Sequence, residues 1–119
     1  MIRIKRVYDQ NGPDDGSRFL VDRLWPRGMK KEKLPLDGWL KEVAPSDELR
    51  RWFGHDPVRW GEFCRRYGAE LEANSEAWRP LLDVSRKQNI TLLYSAHDTE
   101  HNNAVALRLF LEALLNDGL

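Results

Sequence analysis

The chain has 119 residues, enough for one domain with a real core, and its 19 Lys+Arg balance 19 Asp+Glu to a net charge of zero. That balance excludes a global field drawing the protein onto nucleic acid or an anionic membrane, and no apolar stretch nears the roughly 18–20 residues of a membrane span. Cys64 is the only cysteine, which excludes an intrachain disulfide and a cysteine-based zinc site; Met1–Arg6 alternates rather than forming a signal-peptide block, so the expected location is cytoplasmic.

Ile2, Ile4 and Val7 alternate with Arg3, Lys5 and Arg6, the period of an edge strand with one wet face. Asp9–Ser17 holds Asn-Gly and Pro-Asp-Asp-Gly and reads as a loop. It is short for a βαβ crossover, so two connections stay open: an antiparallel hairpin with a long loop, or a single helical turn that carries the chain over. Phe19–Gly28 begins as a short apolar run, expected to be a strand buried on both faces, and ends in Asp22, Arg23 and the turn Trp25-Pro26-Arg27-Gly28. Met29–Lys33 concentrates positive charge and reads as a solvated connection, with a nucleic-acid contact as the competing reading.

Asp37 looks like the N-cap of a short helix bearing Trp39, Leu40 and Val43, stopped by Pro45. Ser46 caps the next helix, with Asp47 and Glu48 in its first turn, Leu49, Trp52 and Phe53 on its apolar face and Gly54 at its end. Asp56-Pro57 opens a longer helix with Trp60, Phe63, Cys64, Tyr67 and Leu71 at helical spacing, which makes Cys64 a small buried hydrophobe rather than a nucleophile. Asn74-Ser75 breaks the pattern. Because Pro80 suits a first turn, the following helix is expected from near Arg79 to near Lys87. Ile90–Tyr94 is the second buried-strand signal, and a long final helix follows, with Ala104, Leu107, Leu111 and Leu114 in one stripe and Asp98 or Thr99 as its cap. The expected fold is a single three-layer α/β domain over 1–119. Its small, mainly parallel sheet has strands near 2–8, 19–24 and 90–95, helices on both faces, and the two apolar strands as parallel neighbours.

In open α/β sheets ligands bind beyond the carboxyl ends of the strands, and two polar clusters fall there. In the first, Arg23 and Arg27 offer planar forks of donors suited to phosphate or carboxylate. Asp22 is either an acid–base group or the partner of Lys5 or Arg6 in an internal ion pair. Trp25 is expected to pack as a lid or core residue. In the second cluster, Ser95 and Asn102 are hydrogen-bonding groups able to orient a ligand, and Asp98 lies at the expected helix start, where its charge would also repel an anion. His101 is the general acid or base candidate, since imidazole is the side chain suited to proton transfer near neutral pH. His97 and His101 are four apart, but His97 precedes the expected helix and no H-E-x-x-H pattern is present, so no metal is assigned. His55, in Gly-His-Asp-Pro, reads as a loop residue. There is no P-loop, G-x-G-x-x-G or G-x-S-x-G, and no cofactor is assigned.

Lys5–Asp9, Leu20–Gly28 (Leu-Val-Asp-Arg-Leu-Trp-Pro-Arg-Gly), Pro45–Arg50 and Thr91–Ala96 together resemble the YeaO-like family of small bacterial proteins. The resemblance implies a compact α/β fold and no established activity. Larger relatives carry a Cys-His-Arg segment after the last strand, where this chain has Glu100-His101-Asn102; only His101 matches, and the missing cysteine removes the thiol. Two functional expectations follow. One is a small enzyme or sensor for an anionic, nucleotide-like ligand, with Asp22 and His101 doing acid–base chemistry while Arg23, Arg27, Ser95, Asp98 and Asn102 contact the ligand. The other is a non-catalytic binding or regulatory module, with nucleic acid along Arg27–Lys33 as a partner.

Overall fold

A computed structural model describes residues 1–118. Four parallel strands, β1 (Ile2–Arg6), β2 (Ser17–Leu20), β3 (Gly38–Trp39) and β4 (Ile90–Tyr94), form one sheet in the order β1-β4-β2-β3. β4 is the hub: Ile90 lies beside both Ile2 and Ser17, and Leu92 beside both Ile4 and Phe19. All five residues of β4 are buried, as an unbroken apolar run paired on both sides requires. The expected parallel pair of apolar strands is therefore β2 and β4, with β1 at the edge.

The helices are α1 (Asp47–Phe53), α2 (Trp60–Glu72), α3 (Ser75–Ser85) and α4 (Asn103–Asn116). They bury Leu49, Phe53, Phe63, Tyr67, Leu71, Leu81, Leu107 and Leu111 against Ile2, Ile90, Leu92 and Tyr94 on one face of the sheet. On the other face, Leu20 and Leu93 meet Val7, Leu34, Trp25, Met29 and Leu36. That face is covered by the connections 7–16 and 21–37, whose helical content is the 3-10 turn Lys31–Lys33. The topology explains this division. β1→β2 and β2→β3 step the same way across the sheet, whereas β3→β4 steps back, so connections of one hand must use opposite faces.

The small α/β domain with parallel strands is as expected; several local expectations give way. Neither connection foreseen for 7–16 is used, because β4 lies between β1 and β2 and the segment crosses over as coil. Asp15 anchors it: 2% exposed, it holds Lys5 Nζ at 2.7 Å and the Arg18 guanidinium, while its carbonyl accepts from Thr91 Oγ1 at 2.7 Å. Where the segment enters β2, Gly16 has φ +64°, and a Cβ there would lie 1.9 Å from the Asn89 carbonyl oxygen; only glycine fits. Asp37 caps no helix. Its carboxylate accepts from Arg18 N at 2.7 Å, and its own N–H donates to Arg18 O at 2.8 Å, which starts β3. A 3-10 turn, Lys41–Val43, follows in place of the expected helix. α3 begins at Ser75, not near Arg79, and carries Pro80 inside it. Burial of Trp78, Leu81 and Leu82 outweighs the one backbone hydrogen bond the proline removes.

Candidate functional site

Beyond the carboxyl ends of β2 and β4 lies a cavity of about 530 Å³, within the range that encloses small-molecule ligands. Its wall is drawn from 22–27 after β2, Ala44 and Pro45, the end of α1 with His55, Phe63 of α2, Ser95 and Ala96 after β4, and Asn102 and Asn103 at the start of α4.

Asp22 ties the two strand ends together. Its Oδ2 accepts from both the N–H and the Oγ of Ser95 at 2.9 Å, and its Oδ1 accepts from Asn103 Nδ2 at 3.1 Å. The Asn103 amide also donates to Val21 O at 3.0 Å, and Trp39 Nε1 donates to Asp22 O at 2.8 Å. Burial pushes the Asp22 carboxyl above its ordinary pKa, and the bonds from Ser95 and Asn103 offset this only in part. The ion pair weighed for Asp22 is not made with either strand β1 cation. Lys5 is taken by Asp15, and Arg6 donates to the carbonyls of Ala96 and Ser95 at 2.9 and 3.2 Å, bracing the other side of the same turn.

Four arginines line the cavity: Arg23, Arg27, Arg50 and Arg51. Arg23 Nη2 donates to Ala44 O at 3.3 Å, and its Nε lies 3.7 Å from Asp47 Oδ1; Arg50 Nη2 donates to that same oxygen at 2.8 Å. One carboxylate oxygen thus serves two guanidiniums, and Arg50 Nε is buried without a hydrogen-bond partner among the described residues. Arg27 and Arg51 are exposed, and neither side chain forms an ion pair among the described residues. The backbone of Arg27 is fixed by a tight turn. Met29 N donates to Pro26 O at 3.3 Å, Gly28 takes φ +75°, Trp25 Nε1 donates to Met29 O at 2.6 Å and Tyr8 Oη donates to Arg27 O at 3.2 Å. Trp25 lies edge-on to Trp39, ring centres 5.3 Å apart, so it is both core residue and cavity wall.

Of the residues singled out from sequence, Asp22, Arg23, Arg27, Ser95 and Asn102 line this cavity; Asp98 and His101 do not. The α4 cap is Asn102, whose Oδ1 accepts from Val105 N at 3.0 Å, rather than Asp98 or Thr99. Asp98 instead closes the turn before it, accepting from Glu100 N at 2.9 Å and His101 N at 3.0 Å and meeting His101 Nδ1 at 2.9 Å. These bonds hold the Asp98 carboxyl below its ordinary pKa. The His101 ring packs edge-on against Trp60, with 5.3 Å between centres. Cys64 is half-buried, and burial raises its thiol pKa. Among the described residues no cluster of three or more His, Cys, Asp or Glu is placed to hold a metal.

Sequence reasoning missed Arg50, Arg51, His55, Phe53, Phe63 and Asn103 as cavity residues. Arg50-Arg51 reads as the solvated side of an amphipathic helix, and nothing in its spacing points at strands 30 residues earlier and 40 later. One signal did exist: Arg50 ends the Pro45–Arg50 segment that carries the family resemblance.

A family model described as "Inactive DUF488-N3 subclade" matches residues 1–118. The chain belongs to this family. Relatives of this subclade member include the uncharacterized protein YeaO of Escherichia coli K12, 48% identical over 113 residues that span 95% of this chain and 98% of YeaO. The uncharacterized protein Rv3073c of Mycobacterium tuberculosis H37Rv is 39% identical over 110 residues, 92% of each chain. The resemblance read from the Leu20–Gly28 segment is thereby established. No solved structure matches the chain.

Proposed function

We propose that this DUF488-N3 member is a non-catalytic binding module that takes an anionic small molecule into the cavity beyond β2 and β4. The observation that carries this reading is the charge of the wall: four arginines against one aspartate, with that aspartate already bonded by Ser95 and Asn103. Guanidinium groups are the side chains best suited to hold phosphate or carboxylate, and α4 begins at the wall with the end that favours negative charge.

Binding is favoured over catalysis on three grounds. The family model is described as inactive, the oxygens of Asp22 are occupied by hydrogen-bond donors, and His101 lies outside the lining. An enzyme using Asp22 and His101 as an acid–base pair needs both groups at one ligand.

The test is a thermal-shift screen with phosphorylated and carboxylated metabolites on the wild type, Arg51→Ala and Arg23→Ala. A ligand that raises the melting temperature should bind Arg51→Ala about 10- to 100-fold more weakly, the worth of one charge-assisted hydrogen bond. No response in the wild type, or a wild-type response that neither variant weakens, overturns the reading. A nucleic-acid partner along exposed Arg27, Lys30, Lys31 and Lys33 gives a different result: affinity that falls steeply with salt and is lost on replacing Lys30 and Lys31.

A further inference from the structure

Resting on the anion-binding reading, we infer that the occupant is a ring-bearing anion of about mononucleotide size, recognised by its planar body as well as its charge. The cavity is larger and less polar than an inorganic anion requires. At about 530 Å³ it falls within the roughly 300–1,000 Å³ of clefts that enclose whole organic ligands. Beside the four arginines its wall includes Trp25, Phe53, Phe63, Pro45, Ala44 and Ala96. Phe53 and Phe63 are stacked with ring centres 4.4 Å apart, and the Trp25 ring is held by its Nε1 bond to Met29 O. Phe53 and Phe63 are core residues that add apolar surface to the wall, and Trp25 is the ring of the three left half-buried. A small hydrated anion gains nothing from these, whereas a flat heterocycle gains burial and a stack on Trp25.

A polar group suited to the edge of such a ring is also present. The Asn103 amide spends its Nδ2 on Val21 O and Asp22 Oδ1, and its Oδ1 accepts no hydrogen bond among the described residues. Asn103 is thereby locked in one orientation, with its acceptor free at the cavity wall. That acceptor takes an N–H donor, which heterocyclic bases carry and simple phosphates or carboxylates lack. Charge on the arginines, ring against aromatic side chains and an N–H on Asn103 together select a heteroaromatic anion.

The experiment is isothermal titration of the intact protein with inorganic phosphate, the four nucleoside 5′-monophosphates and the four parent nucleosides, repeated on Trp25→Ala and Trp25→Phe, with circular dichroism confirming that each variant folds. At least one monophosphate should bind about tenfold or more tighter than phosphate, the contribution of a single base–aromatic stack. Trp25→Ala should shrink that ratio, and Trp25→Phe should largely restore it. Equal affinity for phosphate and every monophosphate overturns the inference and leaves the anion reading standing. A ratio that Trp25→Ala does not change also overturns it. Nucleosides that bind as tightly as their monophosphates bring down the anion reading itself, and no binding by any probe overturns the inference.

Discussion

Asp15 and Asp22 are both carboxylates withdrawn from water, and their surroundings drive them in opposite directions. For Asp15, burial alone would raise the pKa, but Lys5, the Gly12 N–H and Arg18 more than offset it and hold the carboxyl below its ordinary value. A depressed folded pKa means stability that is complete above the unfolded carboxyl's range and is lost as pH falls through the folded value. Asp15→Asn leaves Arg18 buried without its anion, so it should cost about 3 kcal/mol in urea unfolding at pH 7 and flatten the acid limb of the stability curve. Asp22 has the opposite sign. Its raised folded pKa means the native state holds the proton more tightly than the unfolded chain, so stability declines as pH climbs from the unfolded to the folded value. In Asp22→Asn that decline should vanish. At neutral pH the variant should still lose about 1–2 kcal/mol, because its new amide must face a donor from Ser95 or Asn103. Melting curves collected from pH 3 to 8 on both variants check the two signs together.

At the scale of elements, what could be read from the sequence was whatever repeats or runs on. β4 announces itself through Ile90–Tyr94, and α1, α2 and α4 through apolar residues every third or fourth position. β3 could not be read, since Gly38 and Trp39 are too few to show a period and Asp37 carries the chemistry of a helix cap while bonding instead across to β2. The start of α4 was misplaced because Asp98 and Asn102 are both capping residues, and only tertiary contacts decide that one closes a turn and the other the helix. In the candidate site, the residues on strand ends were legible from the rule about where sheets bind ligands. Arg50, Arg51 and Asn103 were not, because their place depends on how α1 and α4 are carried back to the sheet. α3 shows local preference overruled outright. Pro80 is exposed and sits where Ala would restore a hydrogen bond to the Glu76 carbonyl, so Pro80→Ala should stabilise the protein by about 1–3 kcal/mol. Urea denaturation with an unchanged m-value is the check, and a loss of stability would mean that the proline itself supports the packing of α3.

The whole molecule depends on the strand that comes last. Among the described residues β1 pairs with no strand but β4, and β2 reaches β1 only through β4, yet more than 80 residues separate the first strand from its partner. A chain ended after Gln88 keeps α1, α2 and α3 but has no hub for its sheet, and it should show neither dispersed amide resonances nor a cooperative melt. Native-like dispersion in that fragment would refute this account of the architecture. Long-range parallel pairing of this kind also makes folding slow relative to a helical bundle of the same size.

The cavity wall is assembled from stretches between residues 22 and 103, so the contacts of an occupant would tie several parts of the fold together. An occupant held at a hundred times its dissociation constant adds about 2.7 kcal/mol to the native state, which lowers the fraction of molecules open to proteases about a hundredfold. The lifetime of the protein in a cell lysate would then rise and fall with the supply of that metabolite, making its own abundance a record of what it has bound.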